Sequence, residues 1–128
     1  MQALQREYTG KGVVWLAINS TRADHEDYRD VPQATEDESA QGAAPTAVLL
    51  DAEGTVGRSY DAKTTPHMFV VDAEGTLVYQ GAIDSVRSTD ADDIPKATNY
   101  VRQAVDEVLA GHPVSLAQTQ PYGCSVKY

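Results

Sequence analysis

The chain has 128 residues, 41% of them hydrophobic, which is enough to bury one hydrophobic core and short for two domains. Its 10 basic and 19 acidic residues give a formal net charge of -9, which repels phosphate backbones and anionic lipid headgroups and argues against nucleic-acid and membrane-surface functions. No apolar run approaches the length of a membrane-spanning helix, so we expect a soluble protein, cytoplasmic by default and periplasmic if a signal segment precedes this sequence.

The first third of the chain predicts a helix, a strand and an acidic insert. Apolar residues at helical spacing, followed by two glycines, predict a helix over residues 1–8. The continuous apolar run 13–18 is typical of a strand that is covered on both faces. Residues 22–44 are rich in acids and poor in large apolar side chains, and Pro32 divides them into two short helical pieces. We interpret them as a solvated insert, with an acidic docking surface as the alternative.

The middle of the chain predicts a second strand, a short helix and a hairpin. Residues 47–50 form a short apolar run and predict another buried strand. Val56 and Tyr60 are four residues apart, which predicts one or two helical turns packed on the sheet. The β-rich runs 68–71 and 77–80 are joined by the turn sequence Asp-Ala-Glu-Gly-Thr, which predicts a β-hairpin.

The last third of the chain predicts a helix and an irregular tail. An apolar stripe over residues 94–108, with Pro95 near its start and a glycine after its end, predicts a helix of about four turns. Residues 113–128 lack any periodicity, and they contain Cys124. The chain is therefore predicted to form one α/β domain over residues 1–112 with this tail attached.

One sequence pattern is specific enough to indicate a family, namely Thr65-Pro66-His67-Met68-Phe69-Val70-Val71-Asp72 followed by Gly75-Thr76-Leu77-Val78-Tyr79-Gln80-Gly81. Together with the order of the elements, this pattern resembles the redoxin branch of the thioredoxin-like superfamily, which includes the AhpC/TSA proteins and thiol-disulfide oxidoreductases. The resemblance covers residues 1–110. It implies a thioredoxin-like (redoxin) fold, with a mixed central sheet flanked by helices.

A cis-proline loop faces the redox cysteine in that superfamily. The resemblance therefore implies a cis Thr65–Pro66 bond and a substrate-binding role for Thr65, Pro66 and His67. A loop histidine held by backbone hydrogen bonds is the alternative interpretation of His67. The family's redox cysteine lies in a loop that opens a helix after the first strand. Residues 1–8 resemble the C-terminal part of that helix, so the strand, the loop and the cysteine are expected upstream, and the fold is expected to be N-terminally incomplete.

Cys124 is the only cysteine, so the sequence cannot form an internal disulfide. The ending from Gln120 to Tyr128 resembles single-domain redoxins that carry a second cysteine in a C-terminal tail. The resemblance implies that Cys124 is a resolving thiol, exposed on a mobile tail, whereas an incidental surface cysteine is the alternative. It also implies thiol-disulfide or peroxide-reducing antioxidant chemistry, weak or absent in this chain because the main redox cysteine is missing.

The partners implied by the resemblance are a thiol or disulfide protein, or a peroxide, and no cofactor is expected. The three histidines His25, His67 and His112 are scattered and do not predict a metal site. The competing function is a non-catalytic module that holds a peptide or protein by strand addition beside Pro66.

The resemblance further implies a sheet in which strand 46–50 lies beside 13–18, then the absent strand, then 67–71 and 76–81. An absent central strand leaves backbone groups without partners, which is costly in an apolar setting. We expect a second copy of the chain to fill the slot, giving a homo-oligomer, rather than direct pairing of 13–18 with 67–71.

Overall fold

The described residues fall into two compact units of similar size. The first unit consists of Met1–Ala62 and Val126–Tyr128, and the second of Lys63–Ser125. Pro32 and most of the predicted acidic insert lie outside the described residues, so the insert stays a prediction. The computed structural model describes residues 2–26, 28, 30, 45–85 and 98–128.

The described part of the first unit contains two helices and a parallel strand pair. The predicted N-terminal helix is confirmed, and its apolar side chains Leu4 and Tyr8 are buried. The predicted pairing of the two strands is confirmed as well, with Leu16 opposite Ala47. In chain order the elements are α1 (Gln2–Thr9), β1 (Leu16–Asn19), β2 (Ala47–Leu50) and α2 (Thr55–Ser59).

Two packing predictions for this unit are wrong. The run 13–18 was expected to be covered on both faces, but the strand starts at Leu16, and Leu16 and Ile18 are 48% and 43% exposed. Alternate residues of a strand point to opposite faces, and a continuous apolar run does not say whether both faces are covered. Val56 and Tyr60 were expected to pack on the sheet, but both are exposed. In α2 the buried position is Gly57 instead.

Asp51 organises the turn between β2 and α2. Its carboxylate accepts hydrogen bonds from the Gly57 N–H at 2.8 Å and the Val56 N–H at 3.2 Å, and from the Ser20 hydroxyl at 2.8 Å. Burial acts to raise the pKa of Asp51, but the hydrogen bonds, led by that of Gly57, outweigh it and hold the pKa below its ordinary value. The ionised carboxylate therefore stabilises the start of α2.

Replacement of Asp51 by asparagine is expected to lower the free energy of unfolding at pH 7 by about 1–3 kcal/mol, because the amide nitrogen cannot accept a hydrogen bond. A lowered folded-state pKa stabilises the fold above the unfolded-state pKa of about 4, and that contribution is lost as the pH falls through the folded-state value. Urea unfolding between pH 7 and pH 3 should show the difference between the two proteins shrinking below about pH 4. A difference that stays constant with pH would contradict this role.

The C-terminal residue Tyr128 packs in the first unit, over two glycines. A Cβ atom at Gly54 would lie 2.6 Å from the Tyr128 ring, and one at Gly57 would lie 2.8 Å from it. The hydroxyl of Tyr128 donates to the Ala62 carbonyl at 2.7 Å, and the Arg58 guanidinium lies 4.7 Å from the ring centroid. Burial raises the pKa of the phenol. Residues Gly54, Gly57, Arg58 and Ala62 are called the Tyr128 niche below.

The second unit is built on the predicted hairpin, which is confirmed. Its turn is closed by the Asp72 carboxylate, which accepts from the backbone N–H groups of Glu74 at 3.0 Å and Thr76 at 2.9 Å. A helix packs against both strands of the hairpin. In chain order the elements are β3 (Thr64–Thr65), β4 (Met68–Val71), β5 (Leu77–Gly81), α3 (Tyr100–Leu109) and β6 (Cys124–Ser125).

The helix α3 begins later than the sequence predicted. Asn99 has an extended backbone, and its side chain accepts from the Arg102 N–H at 2.9 Å, which makes it the N-cap. The predicted start near Pro95 is therefore wrong, and residues 94–97 lie outside the described residues. The buried face of α3 carries Val101, Ala104 and Val105.

The segment after α3 lies along the hairpin, although it lacks periodicity in the sequence. Backbone hydrogen bonds join Gln80 to Ala117 and to Thr119. The Thr119 hydroxyl accepts from the Ala82 N–H at 2.9 Å and lies 2.7 Å from the hydroxyl of Tyr79. Tyr79 is 1% exposed, and burial raises the pKa of its phenol. The tail therefore contributes directly to the core of the second unit.

The described residues form three two-stranded sheets, β1 with β2, β3 with β6, and β4 with β5. The predicted hairpin is confirmed as an antiparallel pair, and the two strands predicted to be neighbours are found to pair in parallel. The wider sheet with an empty central slot stays a prediction.

Candidate functional site

The structure brings three of the predicted site residues together in the second unit. Strands β3 and β6 pair in antiparallel fashion, with Thr64 opposite Ser125 and Thr65 opposite Cys124. The peptide bond between Thr65 and Pro66 is cis, the geometry expected from the sequence. Cys124 is exposed, also as expected. Its backbone, however, lies in a strand rather than in an irregular tail, which corrects the prediction of a tail without secondary structure.

Gly123 allows the tail to approach the loop. A Cβ atom at this position would fall on the carbonyl oxygen of Thr65 and lie 2.9 Å from the carbonyl carbon. Gly123 also has a φ of 138°, which side-chain-bearing residues rarely adopt. Pairing of Cys124 with Thr65 therefore depends on glycine at position 123.

Tyr122 fixes the tail one residue earlier. Its hydroxyl donates to the Asp84 carboxylate. Asp84 forms a β-bridge with Asn99, the residue that caps α3. The anchor of the tail is thus tied to the start of the helix that packs on the hairpin.

The loop around Pro66 is held by short-range hydrogen bonds. The hydroxyl of Thr64 donates to the Pro66 carbonyl at 2.8 Å. The Nδ1 atom of His67 accepts from the Lys63 N–H at 3.1 Å, and its ring stacks on Phe69 with the centroids 4.5 Å apart. This geometry favours the interpretation of His67 as a loop histidine held by the backbone. Because Nδ1 of His67 accepts this hydrogen bond, that nitrogen carries no proton.

Sequence reasoning missed four residues of this site, namely Thr64, Asp84, Tyr122 and Gly123. A glycine directly before the only cysteine, in a tail without periodicity, was the signal that could have identified the close approach. Asp84 had no such signal, because its partner Tyr122 lies 38 residues further along the chain.

A cavity of about 220 Å³ opens beside the contact between Tyr122 and Asp84, and its lining includes Ser85 and Tyr100. Its volume is below the range of about 300–1,000 Å³ that is typical of small-molecule sites. The strand pair at Pro66 is the better candidate for the functional site.

Two further kinds of site are absent from the described residues. They contain no group of three or more His, Cys, Asp and Glu residues placed to hold a metal ion. Within the same ranges, no helix is long and apolar enough to cross a membrane.

The comparisons with known proteins agree with the geometry. The profile of the AhpC/TSA family matches residues 1–80. A hypothetical protein from Sinorhizobium meliloti is 33% identical, with a TM-score of 0.83, and the match covers 99% of this chain and 69% of that one. An uncharacterised conserved protein from Geobacillus kaustophilus is 31% identical, with a TM-score of 0.84, and the match covers 99% of this chain and 66% of that one. No functionally curated protein matches the sequence.

Proposed function

This chain belongs to the AhpC/TSA family, and on that ground we propose that it takes part in thiol-disulfide or peroxide-reducing chemistry, with Cys124 as its thiol. Its fold is the thioredoxin-like redoxin fold predicted from the sequence. Within the proposal, Thr65, Pro66 and His67 form the surface that a substrate contacts, and Cys124 acts as a resolving thiol.

The register of β3 and β6 is the observation that carries this proposal. It sets Cys124 opposite Thr65, directly beside Pro66, while the cysteine remains exposed. Attack on a disulfide or a peroxide requires an accessible thiolate, and strand pairing limits the positions that this thiolate can take. Cys124 therefore combines an exposed side chain with a backbone that is held by strand pairing.

The chemistry of a single thiol is limited. With a disulfide, the Cys124 thiolate bonds to one sulfur, the original S–S bond breaks, and the other sulfur leaves as a thiolate. In peroxide reduction, a resolving thiolate attacks a sulfenic acid that a hydroperoxide has formed on the cysteine of another molecule: the new S–S bond forms, the S–O bond breaks, and the hydroxide leaves and takes a proton to become water. Both products need a second thiol, from another molecule, to regenerate Cys124. We therefore propose low turnover for this chain alone.

Fast reaction of Cys124 with a thiol-labelling reagent is the first expected result. Mild oxidation should give disulfide-linked dimers, since one exposed thiol per chain can pair only with another molecule. Cys124→Ser should abolish labelling, dimers and any disulfide-reducing or peroxide-reducing activity, whereas Ser125→Ala should retain all three. Labelling can be followed by mass spectrometry and dimers by non-reducing electrophoresis. Labelling as slow as that of a buried thiol, or activity that survives in Cys124→Ser, would reject the assignment.

The second candidate function is a non-catalytic module that binds a peptide or protein. One observation favours it: the main chain of Thr64–Thr65 accepts an added strand, namely β6. An insulin-reduction assay and a peroxide assay separate the two functions, because a binding module is inactive in both.

A further inference from the structure

The edge of β3 is occupied by the chain's own tail. Strand β6 is separated in sequence from β3 by the hairpin and α3, and it pairs with Thr64–Thr65 through only two residue pairs. Gly123, Cys124 and Ser125 are all exposed. The pairing is therefore short and lies at the surface, where it can open without exposing a hydrophobic core.

We propose that residues Tyr122–Ser125 are a self-docked strand that closes this edge and must detach before another extended segment can pair with Thr64–Thr65. The proposal rests on the second candidate function, the binding of an extended segment at this edge, because Cys124 no longer lies opposite Thr65 once the tail has detached. The tail would then compete with any external extended peptide for pairing with Thr64–Thr65.

The contacts of the tail specify the kind of segment that can replace it. Main-chain pairing with Thr64–Thr65 demands an extended backbone. The carbonyl of Thr65 leaves no room for a side chain at the position of Gly123. One residue earlier, the Asp84 carboxylate accepts from a phenol. A competing segment is thus an extended peptide with a tyrosine followed by glycine, as in the tail itself.

A tethered segment competes at a high effective concentration, in the millimolar range for short flexible connections. The apparent affinity for an external peptide equals its intrinsic affinity multiplied by the fraction of chains in which the edge is open. A change that prevents the tail from docking should therefore raise the affinity for an added peptide, without altering the edge itself.

The probe is a fluorescent peptide with the sequence of residues 120–125 and serine in place of its cysteine, measured by anisotropy on the full chain; it omits Tyr128, so it cannot bind through the Tyr128 niche. Gly123→Ala should bind it at least tenfold more tightly than the unmodified protein, because alanine cannot sit against the Thr65 carbonyl. Gly111→Ala is the matched control, since Gly111 also has a positive φ but no atom near its Cβ position. It should leave the affinity unchanged. A probe with valine in place of its glycine should not bind.

A second variant closes the edge covalently. Residues opposite each other in an antiparallel pair have Cα atoms about 4.5–5.5 Å apart, within the range that a disulfide bridges. In Thr65→Cys the new thiol faces Cys124, and oxidation should lock the tail in place. The oxidised form should bind the probe at least tenfold more weakly than the same protein after reduction.

Equal binding to the oxidised and reduced forms would overturn the proposal, and so would equal binding to Gly123→Ala and Gly111→Ala. Because the probe has no thiol, its binding does not require the thiol chemistry of the proposed function. Failure of the proposed function would appear instead in the assays of Cys124→Ser.

Discussion

Gly81→Ala is expected to lower the free energy of unfolding by about 2–4 kcal/mol, through backbone strain and overpacking together. Gly81 has a φ of 145°, and a Cβ atom there would fall on Thr119. Thr119 is held by Tyr79 and by the Ala82 N–H, so it cannot move without breaking those hydrogen bonds. Urea unfolding followed by circular dichroism measures the effect.

Gly75→Ala provides the control for Gly81→Ala. Gly75 has a φ of 86° in the hairpin turn, but no atom lies near its Cβ position. The substitution should therefore cost only the backbone strain, about 1 kcal/mol. An equal cost at both positions would mean that the contact with Thr119 contributes nothing to the stability of the second unit.

Gly57→Val is expected to destabilise the first unit by about 2–4 kcal/mol, because the new side chain takes the space of the Tyr128 ring and separates its hydroxyl from Ala62. A Cβ atom at position 57 would already lie 2.8 Å from the ring and from the Ser20 hydroxyl oxygen. The free energy of unfolding and the near-ultraviolet circular dichroism of the tyrosines should change together.

A double-mutant cycle with Tyr128→Ala isolates that contact. In the Tyr128→Ala background, Gly57→Val should cost less, because the ring no longer competes for the space. Ser59→Val, at an exposed position of α2, controls for placing a β-branched residue in this helix. Additive effects of Gly57→Val and Tyr128→Ala would contradict the interpretation of Gly57 as part of the Tyr128 niche.

The sequence was sufficient for elements that are determined by local patterns. The hairpin has two β-rich runs and a turn whose Asp72 carboxylate binds the turn's own backbone, so all of its signals lie within 14 residues. The start of α3 was predicted too early because the apolar stripe continues N-terminally beyond Asn99. The helix itself begins directly after Asn99, whose side chain caps it. A capping side chain can thus set the first residue of a helix even where apolar residues at helical spacing precede it.

Only one part of the candidate site, the loop around Pro66, could be recognised from the sequence. Thr65, Pro66 and His67 are adjacent in the sequence and could be recognised as one motif. The strand that places Cys124 beside them has two residues and no periodicity, and it is held by the contact between Gly123 and Thr65 and by the hydrogen bond between Tyr122 and Asp84. Contacts of this kind join distant parts of the chain and leave no pattern in either segment.

The first unit is discontinuous along the chain, since its residues 1–62 are completed by Val126–Tyr128. A fragment that ended at residue 62 would contain the described elements α1, β1, β2 and α2, but it would lack the aromatic ring over Gly54 and Gly57. The first unit therefore cannot be produced by truncating the protein at residue 62 alone. A faithful first unit requires the C-terminal tripeptide, either joined by a linker after residue 62 or supplied as a separate peptide.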